Sequence, residues 1–130
     1  MINANTSIER LTKAEEDLMQ WYWDHGASTV SALIEKMPEP KPPHSTISSI
    51  TRILESKSFL DHNTYGRTHE YFPTISKERY SKFSLKGLIA DYFEGSANDL
   101  VSFLVNSNEM SIQDLEEIKS KLNALETNKQ

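Results

Sequence analysis

Residues 42–60, PPHSTISSITRILESKSFL, restrict this chain more than any other stretch. The paired prolines cannot continue a preceding helix but suit the start of a new one, so a helix is expected to begin near residues 43–45. Ile47, Ile50 and Leu54 recur at steps of three and four, with Ile53 beside them, which predicts one core-facing side. The opposite stripe holds Ser45, Ser49, Arg52 and Ser56. Charged residues make up 25% of the chain, yet this face carries short hydroxyls and one arginine. It is either a plain exposed surface rich in serine or a face for close approach to something polar, such as a DNA groove. The next segment, FLDHNTYGRTHEYFP at residues 59–73, separates these readings. Two β-prone runs, 59–64 and 68–72, flank Tyr65-Gly66-Arg67, where glycine can adopt the positive φ of a hairpin turn. Leu60 and Tyr71 would form the hairpin's inner face, leaving His62, Arg67 and His69 near its tip or edge. A helix followed by such a hairpin is the winged-helix arrangement, in which the helix enters the major groove and the wing meets phosphate or the minor groove.

Two helices are expected upstream. Thr12 followed three residues later by Glu15 reads as a capping box. Ala14, Leu18, Trp21 and Tyr22 share one face of that first helix, with Met19 and Trp23 widening it, and Gly26 ends it. Ser28 or Thr29 caps a second helix over about residues 30–37, whose Val30, Leu33, Ile34 and Met37 point inward until Pro38 stops it. The expected DNA-contacting set is therefore Lys41, His44, Ser45, Thr46, Ser49 and Arg52 from the connector and third helix, with Arg67, Thr68 and His69 from the wing.

Downstream, an amphipathic helix over roughly residues 77–94 carries Tyr80, Phe83, Leu88, Ile89, Tyr92 and Phe93 before Gly95-Ser96 breaks it. The run LVSFLV at residues 100–105 is strongly apolar, and Ser111 caps a last helix with Ile112, Leu115, Ile118, Leu122 and Leu125 along one seam. About 55 residues bury little on themselves, so this apolar surface calls for a partner. A second copy suits it, because two-fold symmetry matches a palindromic DNA site. The expected dimer interface is Leu88, Tyr92, Leu100, Phe103, Leu104, Ile112, Leu115, Ile118 and Leu122. The fold class is then mainly α with a small β-hairpin wing: a winged helix-turn-helix domain over residues 1–75 and a helical dimerisation domain over 76–130.

Composition excludes several classes. With no cysteine there is no disulfide, thiol nucleophile or thiolate metal site. The histidines at 25, 44, 62 and 69 show no HExxH spacing and read as surface or wing residues, so no metal or cofactor is expected. No phosphate-binding glycine loop or nucleophile–base pair suggests an enzyme. No apolar run approaches the length of about 18 residues that a membrane span needs, and no signal-peptide pattern is present, so a cytoplasmic protein without membrane insertion is expected. The net charge of −5 is unusual for a nucleic-acid binder. It is unevenly spread: residues 1–40 hold 3 basic and 7 acidic groups, 41–79 hold 6 and 4, and 80–130 hold 5 and 8. The one net-positive segment is the one expected to meet DNA. Two rival classes remain: a ligand-controlled winged helix with Tyr80, Phe83, Tyr92 and Phe93 lining a pocket, and a protein-interaction winged helix that does not bind DNA.

The succession LTKAEEDLMQWYW, GASTVSALIEKMPEP and PPHSTISSITRILESKSFLDHNTYGRTHEYFP resembles the penicillinase and methicillin-resistance repressor family (BlaI/MecI type). Leu11, Thr12, Ala14, Glu15, Trp23, Thr46, Arg52, Leu54, Glu55, Gly66 and Arg67 carry the resemblance, which extends over most of the chain. It implies a transcriptional repressor whose tail helices intertwine into a homodimer on double-stranded operator DNA. It also implies release by a membrane-bound sensor protease cutting within the dimerisation segment, here the LVSFLV region, although the residues there differ from the family's asparagine–phenylalanine pair. Ser58 stands where the family commonly has glycine, implying a strained or differently capped turn. His44 and Ser45 depart from other members, implying a distinct operator sequence. The family's copper-responsive branch uses tail cysteines, which this chain lacks.

Overall fold

The computed structural model describes residues 8–107 and 111–127, with side chains to residue 121. The elements run α1 (Lys13–His25), α2 (Val30–Glu35), α3 (His44–Ser56), β1 (Leu60–Tyr65), β2 (Thr68–Pro73), α4 (Lys77–Tyr92), α5 (Ala97–Asn106) and α6 (Ile112–Thr127). The fold is mostly helical with one two-stranded antiparallel hairpin. No helix among the described residues is long and apolar enough to cross a membrane.

α1 opens with the expected capping box: the Glu15 N–H donates to the Thr12 hydroxyl (3.2 Å) and the Thr12 N–H donates to the Glu15 carboxylate (3.0 Å). Its inner face is Glu15, Leu18, Met19 and Tyr22. Ala14 is exposed, and Trp21 sits at the rim with its ring stacked on His25 at 5.6 Å. Glu15 can occupy the inner position because Lys57, just past α3, places its ammonium 2.8 Å from the carboxylate. Burial pushes the Glu15 carboxyl up, but the Lys57 ammonium and the Thr12 N–H outweigh it and hold it below its ordinary value. α2 stops at Glu35, two residues before the expected end, because Lys36 and Met37 close tight turns onto Leu33 and Ile34 ahead of Pro38.

α3 buries Ile47, Thr51 and Leu54. Ile50 is half-buried, and Ile53, expected beside the core, is 42% exposed. Thr51 takes the inner place because its hydroxyl meets the Tyr22 hydroxyl at 3.0 Å, leaving neither group unsatisfied. After α3 the chain reverses at Ser58, which adopts φ 67°, a left-handed conformation that glycine enters more easily. Phe59 and Leu60 then enter the core. In the hairpin Tyr65 pairs with Thr68, so the loop is the two residues Gly66-Arg67, with Gly66 at φ 64°. Tyr71 on β2 exchanges both backbone hydrogen bonds with Ser28 at 2.9 Å, which ties the wing to the α1–α2 connection.

The chain divides into two compact units, Met1–Ser84 and Leu85–Gln130, a division later than residue 75. Tyr80 accounts for the difference. Its ring packs edge-on against Phe59 at 5.4 Å, its hydroxyl accepts from the Leu11 N–H (3.1 Å) and it donates to the Glu16 carboxylate (2.7 Å). The start of α4 therefore belongs to the first core, as does Phe83, which packs on Tyr80 at 6.0 Å. Tyr80 is a core side chain rather than a pocket wall.

Two stability tests follow. Ser58→Gly should raise unfolding free energy by about 0.5–1 kcal/mol in denaturant titration, the left-handed cost of about 1–2 kcal/mol less glycine's extra chain entropy. Lys57→Met should lower unfolding free energy at pH 7, because it strands a charged hydrogen-bond partner. Since the folded-state pKa of Glu15 is depressed, its contribution is present above the unfolded carboxylate pKa and is lost as pH falls through the folded value. Acid titration of Lys57→Met should lose that step.

Candidate nucleic-acid interface

Apart from Ile50 and Ile53, the residues α3 turns outward form a polar face. His44, Ser45, Thr46, Ser49, Arg52 and Ser56 are all exposed. No side chain caps the helix N terminus, which starts on Pro43. Arg67, Thr68 and His69 are exposed at the hairpin tip. The sequence-expected helix and wing residues thus stand on adjoining surfaces of the first unit.

Lys41 is the departure from that set. Its ammonium donates to the carbonyls of Ile34 (3.2 Å), Glu35 (2.9 Å) and Met37 (2.8 Å). Those carbonyls lie at the end of α2 and just beyond it, where a cation satisfies the acceptors and complements the helix dipole. Lys41 is engaged there instead of being presented as a free cation. Sequence position beside α3 could not show this, because the lysine folds back on the preceding helix.

A cleft of about 420 Å³ lies between α3 and the hairpin. From α3 it is lined by His44, Ser48, Arg52 and Glu55, a stripe rotated one residue from the serine stripe and sharing Arg52 with it. The hairpin contributes His62, Arg67, Thr68, His69 and Tyr71, and the start of α2 contributes Thr29, Val30 and Ser31. Ser48, Glu55, Thr29 and Ser31 were missed by sequence reasoning. Helical steps of four from His44 lead through Ser48 to Arg52, the only available signal.

Inside the cleft the rings are ordered. His62 and His69 stack at 4.2 Å with planes 8° apart, and Tyr71 lies 5.4 Å from His62. The His62 Nδ1 hydrogen-bonds to the Glu55 carboxylate. Burial, then the Glu55 charge, pushes the Tyr71 phenol up against the opposing pull of Arg52, so it remains a neutral hydroxyl. The cleft lining thus holds two arginines, one carboxylate and three imidazoles. Of the four histidines only His25 stands elsewhere. Asp61 also places a carboxylate oxygen near Glu55 and His62, a grouping that the linear spacing did not reveal.

In the second unit, Phe93 stacks edge-on with Phe103 at 5.6 Å. Of the residues expected at a dimer interface, Leu88 is exposed, as are Tyr92 (76%), Phe103 (57%) and Ile112 (78%). Leu100, Leu104 and Ile118 are half-buried, whereas Leu115 is covered within the single chain. The side chains of Leu122 and Leu125 lie outside the described residues.

The penicillinase repressor family model matches residues 11–124. The chain belongs to this family. Its members are transcriptional repressors, so the chain is a repressor and not an enzyme. Among relatives of this repressor, the methicillin resistance regulatory protein MecI of Staphylococcus aureus (strain N315) is 24% identical over 115 residues, covering 87% of this chain and 93% of that protein. MecI of Mammaliicoccus sciuri matches to the same extent, 24% over 115 residues. Among solved structures, the DNA-binding domain of the repressor BlaI is 25% identical with a TM-score of 0.50, covering 58% of this chain and 93% of that domain. The winged helix of the first unit is the shared part.

Proposed function

We propose that this repressor acts in the cytoplasm as a homodimer on a palindromic operator, with α3 in the major groove and the hairpin against the adjoining backbone. The observation that carries this reading is the joining of an exposed hydroxyl-and-arginine face on α3 to a wing tipped by Arg67. A helix with short polar side chains can approach base edges closely, and the arginines supply phosphate or guanine contacts. The likeness to the BlaI DNA-binding domain supports the same use of the same elements. His44, Ser45, Thr46, Ser49 and Arg52 read the groove, while Arg67, Thr68 and His69 hold the backbone. The acidic remainder of the molecule weakens non-sequence-specific adhesion and makes binding sensitive to salt.

The exposed apolar side chains of the second unit support self-association: Tyr92, Phe103 and Ile112 are large and turned to solvent in the single chain. Two copies joined there would present two α3 helices to the two half-sites, and each would raise the other's effective concentration at the DNA. Release would follow cleavage of the dimerisation segment around residues 100–105 by a membrane-bound sensor protease. That run lies within α5 with Ser102, Phe103 and Val105 exposed, so α5 would have to unwind locally to enter a protease cleft.

Mobility shift with DNA upstream of the repressor's own gene, at two salt concentrations, tests the reading. Arg52→Ala should weaken binding by about 1–3 kcal/mol with an unchanged circular dichroism spectrum. Arg67→Ala should weaken operator and random DNA by similar factors and lower the salt slope by about one. Unchanged affinity in both variants would remove the interface. The double variant Phe103→Asp/Ile112→Asp changes only exposed positions, so the fold should persist. It should sediment as a monomer at micromolar concentration and lose tight operator binding. A dimer that survives these charges would place self-association on another face.

A further inference from the structure

The geometry points to a divalent metal site of the zinc class formed by Glu55, Asp61 and His62, at the joint between α3 and β1. Each of the three offers one ligand atom, and these atoms all lie within 4.8 Å of one another. One imidazole nitrogen with two carboxylate oxygens is a donor set that borderline divalent ions accept, whereas magnesium prefers oxygen alone. Three protein ligands around zinc leave a fourth position for water. With no cysteine in the chain, no thiolate competes for the ion.

The frame is firm for so short a segment. Glu55 lies in the last turn of α3, and Asp61 and His62 lie near the start of β1. Between them are the Ser58 turn and the buried Phe59 and Leu60, so the two ends are set by the core. The His62 ring is held between neighbours, stacked on His69 and beside Tyr71, with Nδ1 already aimed at the Glu55 carboxylate. Rings oriented from outside in this way make better metal ligands. In the metal-free chain a hydrogen bond joins the His62 Nδ1 to the Glu55 carboxylate; the ion displaces its proton to solvent, and the imidazole lone pair binds the metal.

The position also gives the ion a consequence, which rests on the operator-binding reading. Glu55 lines the cleft beside Arg52, where a bare carboxylate would oppose phosphate. A doubly charged ion on Glu55 and Asp61 neutralises both carboxylates and fastens the wing to α3. Zinc should therefore tighten operator binding severalfold.

Isothermal calorimetry on the full chain with zinc chloride or magnesium chloride, without DNA, tests the site. The unmodified chain should bind one zinc with micromolar or better affinity, and magnesium far more weakly. Glu55→Gln and His62→Gln should each weaken zinc by about tenfold or more, while His25→Gln should not. Thermal unfolding in chelator should show the variants still folded, and added zinc should raise the midpoint only where the site is intact. Wild-type zinc affinity in Glu55→Gln and His62→Gln, or no zinc heat in the unmodified chain, overturns the site; the second result would leave Glu55 and His62 as a simple hydrogen-bonded pair. Mobility shift with and without zinc separates the two readings. Zinc binding without operator binding overturns the repressor interface and leaves the metal site standing. Operator binding that ignores bound zinc overturns the coupling.

Discussion

The hydroxyl contact between Tyr22 and Thr51, 3.0 Å long and without solvent exposure on either residue, sets how α3 lies on α1. Burying two hydroxyls is costly unless they satisfy one another, and here they have each other within an otherwise apolar interface. Burial pushes the Tyr22 phenol up to about 12, so the bond keeps its proton across any working pH. The pairing specifies rotation as well as adhesion. If α3 turned by one residue, Thr51 would leave its partner, and the charged Arg52 would turn toward the core. The outward direction of the polar face is therefore a consequence of the core.

The same logic operates at the far end of α3. Lys57 reaches back to Glu15 at the start of α1, so the two helices are joined both in the middle and at one end. The chain then reverses through Ser58 directly into Phe59 and Leu60. The wing consequently cannot drift relative to α3: β1 begins in the core, and β2 is bonded to Ser28. A cleft whose two walls are fixed in this way keeps Arg52 and Arg67 at a constant separation.

The second unit obeys a different economy. Its helices are amphipathic, but Tyr92, Phe103 and Ile112 keep large apolar surfaces in water in the single chain. The first unit meets its own needs, with core side chains from α1, α2, α3, the hairpin and the start of α4. The winged helix is therefore held by its own side chains.

How much of this was legible depends on the range of the interaction concerned. Local rules were sufficient for the capping box at Thr12 and Glu15, the Ser76 and Ser111 helix starts, the glycine turn at Gly66 and the outward stripe of α3. Each depends on residues within one helical turn or one hairpin, so the order of residues contains the physics. Ser58 also revealed its strain in advance, because a left-handed position in a known pattern asks for glycine. Tertiary structure alone decided the features that join distant segments. It turned Glu15 inward through a lysine 42 residues away, sent Lys41 back to cap α2, drew Tyr80 into the first core and exchanged Ile53 for Thr51 on the buried face. It also gathered His44, Glu55, His62 and His69 around one cleft. A polar residue reads as surface until its partner is known, and that partner is set by how the helices pack.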